Sequence, residues 1–205
     1  MSGENGIIVL LNGAPRAGKS SIVTAMQENL EGLWLNLGVD RYMPMIPEKY
    51  QPGIGLRPGG ERPDLEPYVE RMYLALYASI AAHSRAGINV VADVGHHNGY
   101  SQPLNLLPRC ASILNGLPAL LVGVLCPIEE ILRRRNATGY LAADAEGRIP
   151  ASVLRWQEAV HQPGIYDLSV DTSATSPEES AALIGSKLKD PDSFTALKHL
   201  VEMNR

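Results

Sequence analysis

Ile7-Ile8-Val9-Leu10-Leu11-Asn12-Gly13-Ala14-Pro15-Arg16-Ala17-Gly18-Lys19-Ser20-Ser21 is the stretch on which the fold turns. Its five leading branched apolar residues read as a strand buried on both faces, as in a parallel sheet covered by helices. Gly13 to Ser20 fits G-x-x-x-x-G-K-S, and from Lys19 to Leu30 the apolar residues Ile22, Val23, Met26 and Leu30 recur at helical spacing. Strand, glycine loop and amphipathic helix thus follow in the order a phosphate cradle needs. Glycines let the main chain wrap close to an anion, so that amide N–H groups and the positive end of the helix dipole converge on it. The sequence predicts that Gly13, Ala14, Pro15, Arg16, Ala17, Gly18, Lys19, Ser20 and Ser21 bind ATP. Lys19 would add positive charge at the β- and γ-oxygens, and Ser20 would offer a hydroxyl to Mg²⁺. The bland alternative, a glycine-rich turn with a surface lysine, would not require strand, loop and helix to agree.

Working outward, strands and helices alternate. Trp34 to Val39 reads as a second strand closed by Asp40, Ile88 to Val94 as a third, Ala119 to Cys126 as a fourth and Leu168 to Asp171 as a fifth. Between the second and third, Tyr68, Met72, Leu76 and Ile80 mark the buried face of a helix that Asp64 can cap and Gly87 can stop. Segments 104–114, 128–135 and 152–161 are also helical, Pro127 opening the second of them. Ser176-Pro177-Glu178-Glu179 is a capping box at the head of another helix, and residues 190–205 look like an appended terminal helix. Pro44, Pro47, Pro52, Pro58, Pro63 and Pro67, with glycines among them, break all periodicity over about 44–67, which reads as a loosely ordered flap. The expectation is a single domain over 1–205, with that flap, an arginine-bearing lid at about 133–150 and a tail at 190–205.

Composition narrows the function. With 205 residues, a formal charge of -4 and no long run of like charge, the chain has the size of one domain and lacks the basic face that nucleic acid or an anionic membrane requires. Leu117 to Ile128, its longest nearly uncharged apolar stretch, is too short for a bilayer span and carries Pro118 and Pro127. No Lys or Arg precedes Arg16, so a secretory leader is not indicated and a cytoplasmic location is expected. Cys110 and Cys126 stand alone, as two buried, inert thiols would. The absence of an Asn-Lys-x-Asp tetrapeptide argues against a guanine-reading switch, and a motor would need further domains.

The remaining candidates sit where strands end, because carboxyl ends of parallel strands open on the ligand crevice. Asp40, placed after the second strand, either takes the proton of an acceptor hydroxyl or caps the helix beginning near Tyr42. Asp93, at the end of the third, either supports Mg²⁺ or closes a turn. His96 and His97 lack the spacing of a zinc pair and suit a solvated turn or a substrate contact. Arg133, Arg134 and Arg135, with Arg148 beyond, either fold over the phosphates or complement a helix end, and their spacing does not say which one acts. Tyr50, Tyr68, Tyr73 and Tyr77 suit an aromatic acceptor or a helix core equally well.

These features together resemble the chloramphenicol phosphotransferase family, small P-loop kinases similar in fold to shikimate and nucleotide kinases. The resemblance runs from about Ile7 to about Ile184. It rests on the glycine loop, on Leu37-Gly38-Val39-Asp40, on the strand ending Asp93-Val94, and on Val160-His161-Gln162-Pro163-Gly164-Ile165-Tyr166-Asp167-Leu168-Ser169-Val170-Asp171-Thr172-Ser173. It implies a three-layer P-loop NTPase fold with a five-stranded parallel sheet, and transfer of the ATP γ-phosphoryl to a hydroxyl of chloramphenicol, which would inactivate the antibiotic. It implies Asp40 as base, with Asp93 and a lid arginine, here matched to Arg133, serving the phosphates. Ala92-Asp93 stands where the family pattern has two consecutive acids. The rivals are a metabolic kinase of a sugar, shikimate-like or nucleoside acceptor, and a non-catalytic nucleotide-binding regulator. The partners expected are ATP and a small hydroxylated compound, with no nucleic acid and no membrane, and a homo-oligomer is left open.

Overall fold

The computed structural model describes residues 4–139 and 148–204. Five parallel strands, β1 (Ile8–Asn12), β2 (Trp34–Asn36), β3 (Asn89–Val94), β4 (Ala119–Leu125) and β5 (Leu168–Asp171), form one sheet in the order β2-β3-β1-β4-β5. Strand order departs from β1 in both directions, which opens a crevice at the carboxyl ends of β1 and its neighbours. Leu11 of β1 pairs with Asp93 of β3, so that carboxylate stands beside the start of the glycine loop.

Alternation along β1 builds the three layers. Ile8 and Leu10 face one apolar cluster and Val9 and Leu11 the other, and all four are buried. The first cluster is completed by α3 (Glu66–Arg85), α4 (Leu106–Ile113) and α8 (Ala196–Met203). The second takes α1 (Lys19–Asn29), α5 (Ile128–Thr138), α6 (Ala151–Ala159) and α7 (Pro177–Lys187). The capping box at Ser176 is present: its hydroxyl accepts from the Glu179 N–H, and the Glu179 carboxylate accepts from the Ser176 N–H. Cys110 and Cys126 are free and buried. Among the described residues no helix is long and apolar enough to cross a membrane.

Several local expectations are corrected. β2 stops at Asn36, and Asp40 lies in the first turn of α2 (Val39–Tyr42) rather than closing a strand. The Asn36 side-chain oxygen accepts from the Gly38 N–H and turns the chain there. Asp64 does not cap α3. Its carboxylate is held by Arg62, while α3 starts after Leu65. On α3, Tyr68 points outward to stack on Tyr50, and Val69, Tyr73, Leu76, Tyr77 and Ile80 make the buried face. The flap is docked rather than loose: it winds through three short 3-10 turns and buries Ile54, Leu56 and Leu65 in the first core cluster.

The tail is no appendage either. Ala196, Leu197 and Leu200 of α8 pack with Cys110, Ala111 and Leu114. One Asp167 carboxylate oxygen accepts from the N–H groups of Thr195 and Ala196, capping α8 from a distance, and the other accepts from the Leu121 N–H of β4. Of the lid expected at 133–150, residues 140–147 lie outside the described residues, as does Arg205 of the tail.

Candidate active site

At the carboxyl end of β1 the chain leaves the sheet through Asn12 and enters a tight loop. Arg16 and Gly18 adopt positive φ (72° and 97°), and α1 begins at Lys19. Gly18 stands at the N-terminus of α1, where its left-handed backbone costs least because it has no Cβ. The loop is tied down on both sides. The Thr172 hydroxyl donates to the Ala17 carbonyl at 2.7 Å, and the Arg134 guanidinium donates to the Arg16 carbonyl and to both oxygens of Thr172. Asn12 anchors the strand end by donating to the Val160 carbonyl and the Tyr166 hydroxyl, and by accepting the His96 N–H. Tyr166 and Thr172 are thus structural ties between the β5 segment and the head of the loop.

The loop opens into a cavity of about 850 Å³ bounded by the head of α1, Asp40, Asp93, the Arg133 and Arg134 side of α5, and Thr172 and Thr175 after β5. Lys19 Nζ donates to the carbonyls of Gly13 at 2.7 Å and Ala14 at 3.0 Å, which holds the ammonium at the loop mouth. Burial lowers its pKa, opposed by the negative charges of Asp93 and Asp40. The Ser20 hydroxyl donates to Asp93 Oδ2 at 3.0 Å. Burial, and then the charge of Asp93, raise the pKa of Asp40, while Lys19 and Arg16 pull it down. One cavity therefore gathers a glycine loop at a helix N-terminus, an ammonium, a hydroxyl–carboxylate pair and a second carboxylate with raised proton affinity.

Gly38 makes this arrangement sterically feasible. A Cβ there would meet Asp93 Oδ1 at 1.6 Å, so only glycine lets the β2–α2 elbow pass against the β3 carboxylate and bring Asp40 to the same cavity. Asp40 sits in the first turn of α2 and lines the cavity.

Sequence-expected residues divide accordingly. The glycine loop, Lys19, Ser20, Asp40 and Asp93 come together. Arg133 also borders the cavity, but its guanidinium grips Glu130 through two 2.7 Å bonds on an exposed face of α5. Successive helical residues are about 100° apart, so the three arginines face different surroundings. Arg134 clamps the loop, and Arg135, only 1% exposed, lines a neighbouring cavity. His96 and His97 are buried rather than solvated: His96 Nε2 meets the Tyr77 hydroxyl at 2.8 Å, and His97 Nε2 meets the Leu56 carbonyl at 2.9 Å. Tyr73 and Tyr77 belong to the core. Arg134 and Thr172 were not singled out from sequence as a loop clamp, since a run of three arginines carries no signal of which one turns inward.

Ser20 and Asp93 present hard oxygens at the cavity floor, which suits a magnesium ion that keeps waters and phosphate oxygens for its other positions. Among the described residues no group of three or more His, Cys, Asp or Glu side chains is placed to hold a metal, so no all-protein cage competes with that arrangement.

Residues 6–189 match the family model described as chloramphenicol phosphotransferase-like protein. A curated protein from two strains of Mycobacterium tuberculosis, named "Putative O-phosphotransferase", is 27% identical over 190 residues, covering 86% of this chain and 79% of that protein. Among solved structures, the M. tuberculosis APS kinase in complex with AMPPNP and APS aligns with a TM-score of 0.58 at 17% identity, over 92% of this chain and 99% of that one. Shikimate kinase from Acinetobacter baumannii in complex with shikimate aligns with a TM-score of 0.59 at 13% identity, over 91% and 95%. At these identities the solved structures establish the shared P-loop kinase fold.

Proposed function

The chain belongs to the chloramphenicol phosphotransferase-like family, and from that premise we propose that it transfers the γ-phosphoryl group of ATP to a hydroxyl of a small molecule. Family and fold support a P-loop phosphotransferase. The observation that carries the finer reading is the convergence of Lys19, Ser20, Asp40 and Asp93 on one cavity at the head of α1.

In this reading the loop amides from Gly13 to Ser20 and the Lys19 ammonium hold the β- and γ-phosphates. Ser20 and Asp93 hold Mg²⁺, whose charge offsets that of the phosphate oxygens. Asp40 orients the acceptor hydroxyl and takes its proton. The acceptor oxygen forms a bond to the γ-phosphorus, the bridging bond to the β-phosphate oxygen breaks, and ADP leaves with that electron pair. A carboxylate with raised proton affinity is better suited to this task than an ordinary aspartate. Arg134 holds the loop in its phosphate-binding shape, and Arg133, released from Glu130, is within reach of the cavity mouth. Chloramphenicol, the family's namesake, is the acceptor with which assays begin.

Asp40→Asn tests the assignment. Turnover should fall by about 10²- to 10⁴-fold, the usual worth of a general base, while affinity for a non-hydrolysable ATP analogue stays within a few-fold of the parent. A variant that keeps its turnover would remove Asp40 from the chemistry. If no phosphorylated product is found by mass spectrometry with chloramphenicol or any other hydroxylated compound, while nucleotide still binds, the protein is a nucleotide-dependent regulator instead.

A further inference from the structure

Beside the nucleotide cavity lies a second one of about 590 Å³, and the two share Pro15, Pro52 and Gly55 on their walls. A molecule seated in the second cavity would therefore have one end directed at the loop and at Asp40. Among the described residues its lining is unusual in charge: Arg57, Arg62 and Arg135 contribute guanidinium groups, and Glu61 a carboxylate. Trp156 and Leu56 supply apolar surface, and Ser152 a hydroxyl.

Among the described residues, Glu61 and Asp64 beside this cavity are already paired. Glu61 accepts from Arg57 Nε at 2.9 Å and also from Arg155 Nη2. Asp64 takes Arg62 in a two-pronged pair, Nε at 2.8 Å and Nη2 at 2.7 Å. Among the described residues Arg57, Arg62 and Arg155 thus share two carboxylates. The pairs fix one edge of each guanidinium and leave another edge available. The terminal amino groups of Arg57 and the Nη1 of Arg62 make no hydrogen bond among the described residues. Exposed ion pairs add little stability, so structural need alone does not account for an excess of guanidinium groups around a hollow. A planar fork with a spare edge is a good receptor for a carboxylate or phosphate.

We propose that the acceptor of this phosphotransferase is an anionic alcohol, carrying a carboxylate or phosphate that Arg57 and Arg62 bind while its apolar body lies against Trp156 and its hydroxyl faces Asp40. This rests on the reading of the neighbouring cavity as the ATP site. The uncharged chloramphenicol then belongs on the weak side of the comparison.

The test uses the full chain saturated with a non-hydrolysable ATP analogue, so that anions are kept off the glycine loop. Calorimetric titrations compare three matched pairs: glycerol 3-phosphate with glycerol, 3-hydroxybenzoate with 3-hydroxybenzyl alcohol, and 3-hydroxycyclohexanecarboxylate with 3-(hydroxymethyl)cyclohexanol. In at least one pair the anion should bind tenfold or more tightly than its neutral partner. Arg57→Gln and Arg62→Gln should each reduce that preference several-fold, Arg57→Lys should restore part of it, and nucleotide affinity should serve as the folding control. Equal binding within every pair, binding of neither member of any pair, or a preference untouched by the glutamine variants would overturn the proposal. Failure of the underlying reading would look different, because the ATP analogue itself would not bind.

Discussion

Among single residues, His96 links the site to the stability of the core. It is 3% exposed, its Nε2 meets the Tyr77 hydroxyl, and its Nδ1 has no hydrogen-bond partner among the described residues. Burial, with a smaller contribution from neighbouring His97, pushes its pKa down from 6.5 to about 3. Below pH 6.5 the unfolded chain therefore takes up a proton that the folded chain refuses. Stability contributed by neutral His96 is present above that pH and is lost as pH falls. One such proton corresponds to about 1.4 kcal/mol per pH unit. His97, likewise lowered by burial, steepens the same window. The ion-paired acids act lower: Arg133 and Arg134 hold Glu130 down to about 2, so its contribution disappears below the ordinary carboxylate range. Urea denaturation at pH 7.0 and 5.5 should show a clear loss at the lower pH, and His96→Gln should shrink the difference by about 1 kcal/mol or more. An unchanged slope in that variant would mean His96 is protonated in the native state.

At the level of elements, the site depends on how closely the β2–α2 elbow passes β3. The motif Leu37-Gly38-Val39-Asp40 reads from sequence as a strand with a terminal acid, yet the strand ends at Asn36 and the acid is carried on a single helical turn. Gly38 has an ordinary negative φ, so the constraint is space rather than backbone freedom. Gly38→Ala should push the elbow away from Asp93, moving Asp40 and disturbing the Ser20–Asp93 pair together. Turnover should drop by at least tenfold, since displacement of about 1 Å can cost 10²-fold, while binding of the ATP analogue without magnesium stays close to the parent. Equal losses of turnover and of magnesium-free nucleotide binding would show that the damage reaches the glycine loop. Helix α5 makes a related point: one turn of helix sends Arg133 to Glu130, Arg134 to the loop and Arg135 to the second cavity.

For the whole molecule, the carboxy-terminal helix is part of the core even though it follows the last strand by many residues. Deleting 191–205 should cost several kcal/mol, because burying Leu197 and Leu200 alone is worth about 1.5–3 kcal/mol each. The Asp167 carboxylate would also lose the N–H groups it caps. Chemical denaturation should show this as a lowered midpoint, and a truncated chain as stable as the full one would place the helix outside the cooperative unit. The sequence by itself determined the three-layer class, five strands and the glycine loop. Those features are written in local periods of apolar residues and in one short motif, and each is read within a dozen residues. Asp40 and Asp93 were also legible as candidates, because acids beside strand ends are conspicuous in an apolar pattern. Only the tertiary structure decided which arginine faces which cavity, that Tyr73, Tyr77, His96 and His97 are core, and that the proline-rich flap is docked. Those outcomes depend on contacts between segments far apart in the chain, such as His97 with Leu56 or Arg134 with Thr172, whose energies leave no local trace in the residue pattern.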